Sequence, residues 1–334
     1  MKSELCDVLG IEVPIISAPL GGATGPEMTA AVSEAGGFGT IPLWRGGADV
    51  VHSGIEQVRA LTDRNFAVNL NMDFSHEEEL QACIDQEILA VSLFWGVKPS
   101  FVEMAKRGGL LVFSTVGSAE EAKIAANAGA DVIVAQGWEA GGHVWGQVTT
   151  MALVPAVVDA VTIPVVAAGG ISDGRAMAAA LMLGASGVWV GTRFLASNEA
   201  TIHPEYKQRI LDASEEQTHW AAELYNGFWP DAPHRALLNT TSKEWEAAGC
   251  PKPGQRPGEQ ETIGQQANGD PILRYQSHTP NPQTSGDISA MSLWSGQGVS
   301  QVTKTQSAAE IVDEIYQDAM RTISKFSDLR DQSS

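Results

Sequence analysis

The chain has 334 residues, 43% of them hydrophobic and 18% charged, which is enough apolar content for one large domain with an appendage or for two modest ones. Its formal net charge of −19 repels phosphate backbones and anionic lipid, so nucleic acid and membrane surfaces are poor partners, and any bound phosphate must be held locally by backbone N–H groups. No apolar run reaches the ~18 residues of a membrane span. The opening "MKSELCDVLGIEVP" has an acidic residue where a secretion signal needs apolar ones, and Cys6, Cys83 and Cys250 are widely spaced with no CxxC pair, so a cytoplasmic protein with reduced thiols is expected.

In chain order, short apolar runs appear at "VPIISAP" (13–19), "GFGTIPL" (37–43), "FAVNLNM" (66–72) and "ILAVSLF" (88–94). They continue at "LLVFST" (110–115), "VIVAQ" (132–136), "PVVAAGG" (164–170) and "GVWVG" (187–191). The runs do not alternate; they are apolar on both sides, as parallel strands covered by helices should be. Helix-like segments lie between them. "SAEEAKIAANAG" opens on a capping box of Ser118 and Glu121 and stops at Gly129, and "SDGRAMAAALMLG" opens at Ser172 and stops at Gly184.

About eight β-then-α units, spaced by roughly 25 residues, predict an α/β fold of the (β/α)8 TIM-barrel type over residues 1–214. A doubly wound open sheet competes with it. No GxGxxG follows the first strand, however, and the glycine-rich turns cluster at the seventh and eighth units instead. Residues 215–300 are rich in Gly, Pro, Gln and Asn without a sustained period, and are expected to form an irregular and helical lid lobe after the eighth strand. Trp220, Trp229, Trp245 and Trp294 indicate that this lobe packs. Residues 301–334 should return as a helix on the barrel, capped by Ser307 and Glu310, with a stripe of Ile311, Val312, Ile315, Ala319 and Ile323.

In a barrel the C-terminal strand ends face the site. Here they are Ala18 and Pro19, Trp44, Asn69, Phe94, Thr115, Gln136, Ala168 and Gly191. They include no lysine for a Schiff base, no acid pair for glycoside chemistry and no cluster with metal-ligand spacing. A small, amide-bearing and aromatic mouth suits a flat cofactor whose own ring does redox work. "VVAAGGISDG" and "VWVGTRF" place Gly169, Gly170, Gly191 and Thr192 in the two loops that usually hold phosphate in barrels; ordinary turn glycines are the alternative. Asn69 and Gln136 either bond a ring edge or hold a turn. His143 follows Gly141-Gly142 just past a strand end, lies between Trp138 and Trp145, and has only Glu139 as a nearby carboxylate; a pKa near neutrality would suit general-base work. His203, His219, His234 and His278, in the irregular part, read as structural, as do His52 and His76.

At these residues the sequence resembles the nitronate monooxygenase family, formerly called 2-nitropropane dioxygenases, which are FMN-dependent TIM-barrel enzymes. The likeness rests on "AQGWEAGGHVWG", "PVVAAGGISDGRAMAAALMLGASGVWVGTRFLAS", "ISAPLGGATGPEMTAAVSEAGGFG" and "LWSGQGV". It implies that His143 is the active-site histidine near the flavin N5 and the substrate, and that Gly141 and Gly142 admit the ring. Asn69 and Gln136 would surround the isoalloxazine and ribityl chain, with Ala18 against the ring. Gly169, Gly170, Gly191 and Thr192 would cradle the FMN phosphate, with Ala168 just before them. Trp294, Gly296 and Gln297 match a late loop, often "YAGQG", that closes over the flavin. Thr115 stands where some relatives place a lysine, so that charge is absent or replaced.

The implied reaction is oxidation of an alkyl nitronate, a small-molecule substrate of unspecified chain length, by O2 to a carbonyl compound and nitrite; a homodimer is left open. Flavin enoyl-acyl-carrier-protein reductases and NAD(P)H:quinone reductases share the same segments, so an FMN-dependent NAD(P)H reductase is the first rival, beside oxidation of an unusual secondary metabolite. A flavin-free phosphosugar or nucleotide barrel enzyme using the same two loops and a non-catalytic phosphate-ligand binder are further alternatives.

Overall fold

Eight short strands carry the apolar runs. They are β1 (Ile15–Ser17), β2 (Gly39–Pro42), β3 (Phe66–Asn71), β4 (Ala90–Phe94), β5 (Leu111–Val116) and β6 (Val132–Gln136), then, beyond a two-residue strand β7 (Gly142–His143), β8 (Val165–Ala168) and β9 (Gly187–Val190). The structure is a computed structural model and describes residues 3–331. Omitting β7, the strands run in the order β1-β9-β8-β6-β5-β4-β3-β2, every pair parallel. The ring closes through an Ile16–Phe38 bridge, in which Ser17 N–H donates to Phe38 O at 3.0 Å and Phe38 N–H to Ile15 O at 2.9 Å. Closure leaves no open edge, so the fold is the (β/α)8 barrel and not the doubly wound sheet.

Inward-facing residues make the barrel a packed core. Phe38 stacks on Phe113 at 5.9 Å, and Phe113 meets Trp189 at 5.8 Å. Leu5 and Leu9 of helix α1 (Glu4–Leu9) join this cluster from the N-terminal end, next to Gly187. Each fully buried apolar ring or leucine contributes about 1.5–3 kcal/mol. Around the barrel stand α2 (Pro26–Glu34), α3 (Gly47–Arg59), α4 (Glu77–Asp85), α5 (Pro99–Arg107), α6 (Ala119–Asn127), α7 (Thr150–Val158) and α8 (Gly174–Met182).

Two helix starts differ from expectation. The capping box of α6 is half formed: Ser118 Oγ accepts the Glu121 N–H at 3.2 Å, while the Glu121 carboxylate accepts Gly117 N–H at 2.7 Å and Trp145 Nε1–H at 2.9 Å. Glu121 thus ties α6 to the loop after β6. Helix α8 is capped by Asp173, whose Oδ1 accepts the Ala176 N–H at 2.9 Å, and not by Ser172, which is buried beside the barrel mouth. The last helix runs over Ala308–Asp331, with Ile323 of its apolar stripe only partly buried and residues 332–334 outside the described residues. Ser307 and Glu310 cap each other reciprocally, and Ile311, Val312, Ile315 and Ala319 are buried against the barrel helices. His52 and His76 lie in α3 and at the N-cap of α4.

After β9 come α9 (Thr192–Leu195) and α10 (Pro204–Asp212), then β10 (Thr218–Ala221), β11 (His234–Leu237), α11 (Thr240–Ala247), β12 (Thr262–Gln265), β13 (Pro271–Leu273) and β14 (Ser285–Gly286), before α12 (Ala308–Asp331). The strands between residues 215 and 300 are only two to four residues long, too short to show as a sequence period. Loop carbonyls here lack ladder partners, and buried arginines take their place. Arg256 Nη1 donates to Glu223 O at 3.0 Å, Leu224 O at 3.2 Å and Asn226 Oδ1 at 2.8 Å while its guanidinium pairs with Glu259. β11 also reaches back: it pairs antiparallel with β7, setting His234 opposite His143.

Candidate active site

A cavity of about 510 Å³ opens at the C-terminal ends of the strands, within the range of ligand sites of ~300–1,000 Å³. All nine strand-end residues picked from the sequence line it. Gly141, Gly142, His143, Gly169, Gly170, Thr192, Trp294 and Gly296 line it too. Gln297 is off the wall: it starts a single turn after Gly296, and its N–H donates to Glu139 O at 3.0 Å.

His143 stands in an aromatic enclosure. Its ring lies 4.1 Å from Trp229, 5.4 Å from Trp294 and 5.9 Å from Trp95 between centroids, with His234 at 5.8 Å. The flanking residues in sequence are elsewhere. Trp138 packs on Trp220 and under Arg235, while Trp145 meets Trp95 edge-on. Glu139 is turned away, its carboxylate accepting the N–H and Oγ1–H of Thr150 at 2.8 and 3.0 Å. His143 Nδ1 faces Ala232 O at 3.3 Å, which assigns the proton to Nδ1 and leaves the lone pair on Nε2. Desolvation, helped by His234 and Arg45, lowers its pKa to about 3, against the backbone bonds that raise it. The near-neutral base expected from the sequence is therefore corrected: the free imidazole is neutral at ordinary pH.

The amides differ from each other. Gln136 Nε2 donates to His143 O at 3.1 Å and its Oε1 accepts Trp145 N–H at 2.9 Å, so it holds the turn after β6. Asn69 Nδ2 donates to Ser92 O at 3.1 Å, which leaves Oδ1 as an acceptor at the cavity wall. Thr115 supplies a hydroxyl and no charge.

Several wall residues were missed in the sequence. Trp229, from the segment before β11, donates Nε1–H to Asp73 Oδ2 at 2.9 Å and so fixes one wall. Trp95 sits behind it at φ 78°, a left-handed conformation costly for a bulky residue. Arg45 follows the strand-end Trp44 directly; a cation beside an aromatic in a βα loop was the available signal. His278 also lines the cavity, whereas His234 is fully buried and satisfied, accepting Tyr225 N–H on Nε2 at 3.0 Å and bonding Ala232 O through Nδ1 at 3.0 Å.

At the β8 and β9 side the wall is backbone. Gly169 and Gly170 have φ 102° and 70°, and a Cβ on Gly169 would sit 2.9 Å from Gly137 O. Among the described residues, the N–H groups of Gly170, Ile171 and Thr192 have no hydrogen-bond partner. Such free donors beside the start of α8 form a cradle for an anion. A flat ring on the Trp189, Val134 and Ala18 floor with a phosphate tail in this cradle fits the residues present. Among the described residues no group of three or more His, Cys, Asp or Glu could hold a metal ion, and no helix is long and apolar enough to cross a membrane.

Comparison with known proteins agrees with this geometry. The family described as nitronate monooxygenase matches residues 2–90 and 73–318. A Rhodococcus jostii protein named (3aS,4S,5R,7aS)-5-hydroxy-7a-methyl-1-oxo-octahydro-1H-indene-4-carboxyl-CoA dehydrogenase is 35% identical over 241 residues, 72% of this chain and 66%, just under two thirds, of that protein. FabK from Thermotoga maritima superposes with a TM-score of 0.85 at 31% identity, covering 98% of this chain and 99% of its own. Nitroalkane oxidase from Streptomyces ansochromogenes does so with a TM-score of 0.78 at 25% identity, covering 96% and 99%. With the barrel, the glycine cradle and the enclosed histidine in place, the chain belongs to the nitronate monooxygenase family and is a flavin-dependent oxidoreductase.

Proposed function

We propose that the protein oxidises alkyl nitronates with O2 to carbonyl compounds and nitrite, and that its flavin is FMN. The observation that carries this reading is a neutral imidazole, His143, set among tryptophans on a cavity whose described lining contains no carboxylate. When bound, FMN supplies the redox chemistry. The free N–H groups of Gly170, Ile171 and Thr192 would hold its phosphate, Asn69 Oδ1 would be an acceptor for its ring edge, and Ala18 would leave room for the ring. Residues 215–300 act as a lid, with the Trp294–Gly296 loop over the flavin.

A nitronate arrives already deprotonated, so the site needs no strong base. An anion beside His143 raises the imidazole's proton affinity, because an opposite charge favours the charged form. The ring then takes up a proton from solvent at Nε2 as the anion binds and donates it as a hydrogen bond to a nitronate oxygen, while Nδ1–H stays on Ala232 O. Trp229, Trp294 and Trp95 exclude water, which strengthens that contact.

A second reading is favoured by the likeness to FabK: an FMN-dependent NAD(P)H reductase acting on an enoyl thioester or a quinone. Anaerobic mixing separates the two. Bleaching of the flavin by an alkyl nitronate and not by NADH supports the oxidase; rapid bleaching by NADH transfers the site to the reductase.

A further inference from the structure

Arg45 stands out in the charge pattern of the cavity. The chain carries a net charge of −19, yet the described residues lining this cavity include no Asp, Glu or Lys and a single guanidinium, that of Arg45. Its Cζ lies 4.5 Å from the ring centroids of both Trp44 and Phe74. Those rings are themselves packed, 5.4 Å apart, with Trp229 at 5.1 Å from Phe74 and 6.4 Å from Trp44. Stacking orients a planar guanidinium while leaving its N–H edge available for a carboxylate or phosphate.

Among the described residues no carboxylate forms an ion pair with Arg45. Asp73, on the neighbouring loop, is engaged with Trp229 instead. A positively charged, oriented and unpaired group at the rim of an otherwise uncharged, aromatic-walled cavity is a recognition element for an anion.

We propose that Arg45 anchors a second anionic group of the substrate, a carboxylate or a phosphate, carried on an apolar body that lies along Trp44 and Trp229 while the reacting end meets His143. The substrate class is thus an amphipathic organic anion rather than a simple alkyl chain. This rests on the cavity being the substrate site.

The test measures binding, not turnover. The flavin-loaded protein is titrated calorimetrically with hexanoate, hexylphosphonate and the neutral hexanamide, in wild type, Arg45→Gln and Arg45→Lys, with the flavin spectrum and Tm as controls for folding. Wild type should prefer at least one anion over the amide by about tenfold or more, equivalent to ~1.4 kcal/mol. Arg45→Gln should erase that preference and leave hexanamide binding unchanged, and Arg45→Lys should restore part of it. Whichever anion binds more tightly assigns the tail as carboxylate or phosphate. Equal binding of all three ligands, or a preference that survives in Arg45→Gln, overturns the proposal. Bleaching of the flavin by NADH would remove the oxidase reading and leave this preference standing, so the two can fail separately.

Discussion

Gln136, on the last position of β6, donates its side-chain amide to the carbonyl of His143 and accepts the N–H of Trp145. One side chain therefore sets the path of the turn that carries the imidazole. Gln136→Leu removes both bonds and leaves two backbone groups unpaired, at a cost of about 1–3 kcal/mol for each buried group. A displaced imidazole should lower kcat/KM by about 100-fold, the penalty of a ~1 Å misplacement. Steady-state kinetics beside a thermal melt check this; unchanged kcat/KM in a folded variant would show that the turn holds itself.

His143→Asn should abolish turnover while the protein stays yellow, because the flavin cradle lies on other loops. Loss of flavin from this variant would make the histidine structural. In the wild type, binding of an anionic substrate analogue should be accompanied by proton uptake, since the free ring, with its pKa lowered to about 3, is neutral. Calorimetry in buffers of different ionisation enthalpy measures it directly.

Gly141 and Gly296 touch through their backbones. A Cβ on Gly141 would lie 2.3 Å from Gly296 N and 2.4 Å from Ser295 C, atoms that cannot swing aside. Gly141→Ala should push the late loop off the cavity, destabilise the fold by roughly 1–3 kcal/mol and loosen the flavin. Gly142→Ala is the control. Its Cβ would meet nothing within 4 Å, so only the left-handed φ of 69° is penalised, by about 1–2 kcal/mol. Flavin dissociation followed by fluorescence should separate the two variants.

His234 predicts the acid behaviour. Burial lowers its pKa from 6.5 to about 4, so between those values the unfolded chain binds a proton that the folded chain does not. Stability is unaffected above pH 6.5 and falls as the pH drops below it, by about 2 kcal/mol at pH 5 for this one residue. The loss levels off below the folded value. His234→Gln should make this part of the pH–Tm curve shallower in a folded variant, the buried His143 keeping its own share; an unchanged slope would assign the acid sensitivity to other groups.

The barrel was legible because its strands are continuous apolar runs and its helices end on caps and glycines; both signals are local. The strand-end rule then found the cavity floor, from Ala18 through Gly191, since each position follows from where a strand stops. What surrounds His143 was not legible. Trp229 and Trp95 come from segments distant in sequence from the EAGGH stretch, and neighbours in sequence, Trp138 and Trp145, point elsewhere. The imidazole's proton affinity was misjudged for the same reason, because enclosure by distant rings sets it. Gln136 could have been read either way, and its partners settle that it braces the turn.

The pairing of β7 with β11 has a bearing on how the enzyme comes into being during synthesis. His143 is seated against Ala232, 89 positions further along the chain. A nascent polypeptide that has just finished β9 owns every barrel strand and still lacks the wall that orients its imidazole. A fragment ending before β11 would hold all eight barrel strands and lack the carbonyl and the paired strand against which this imidazole rests.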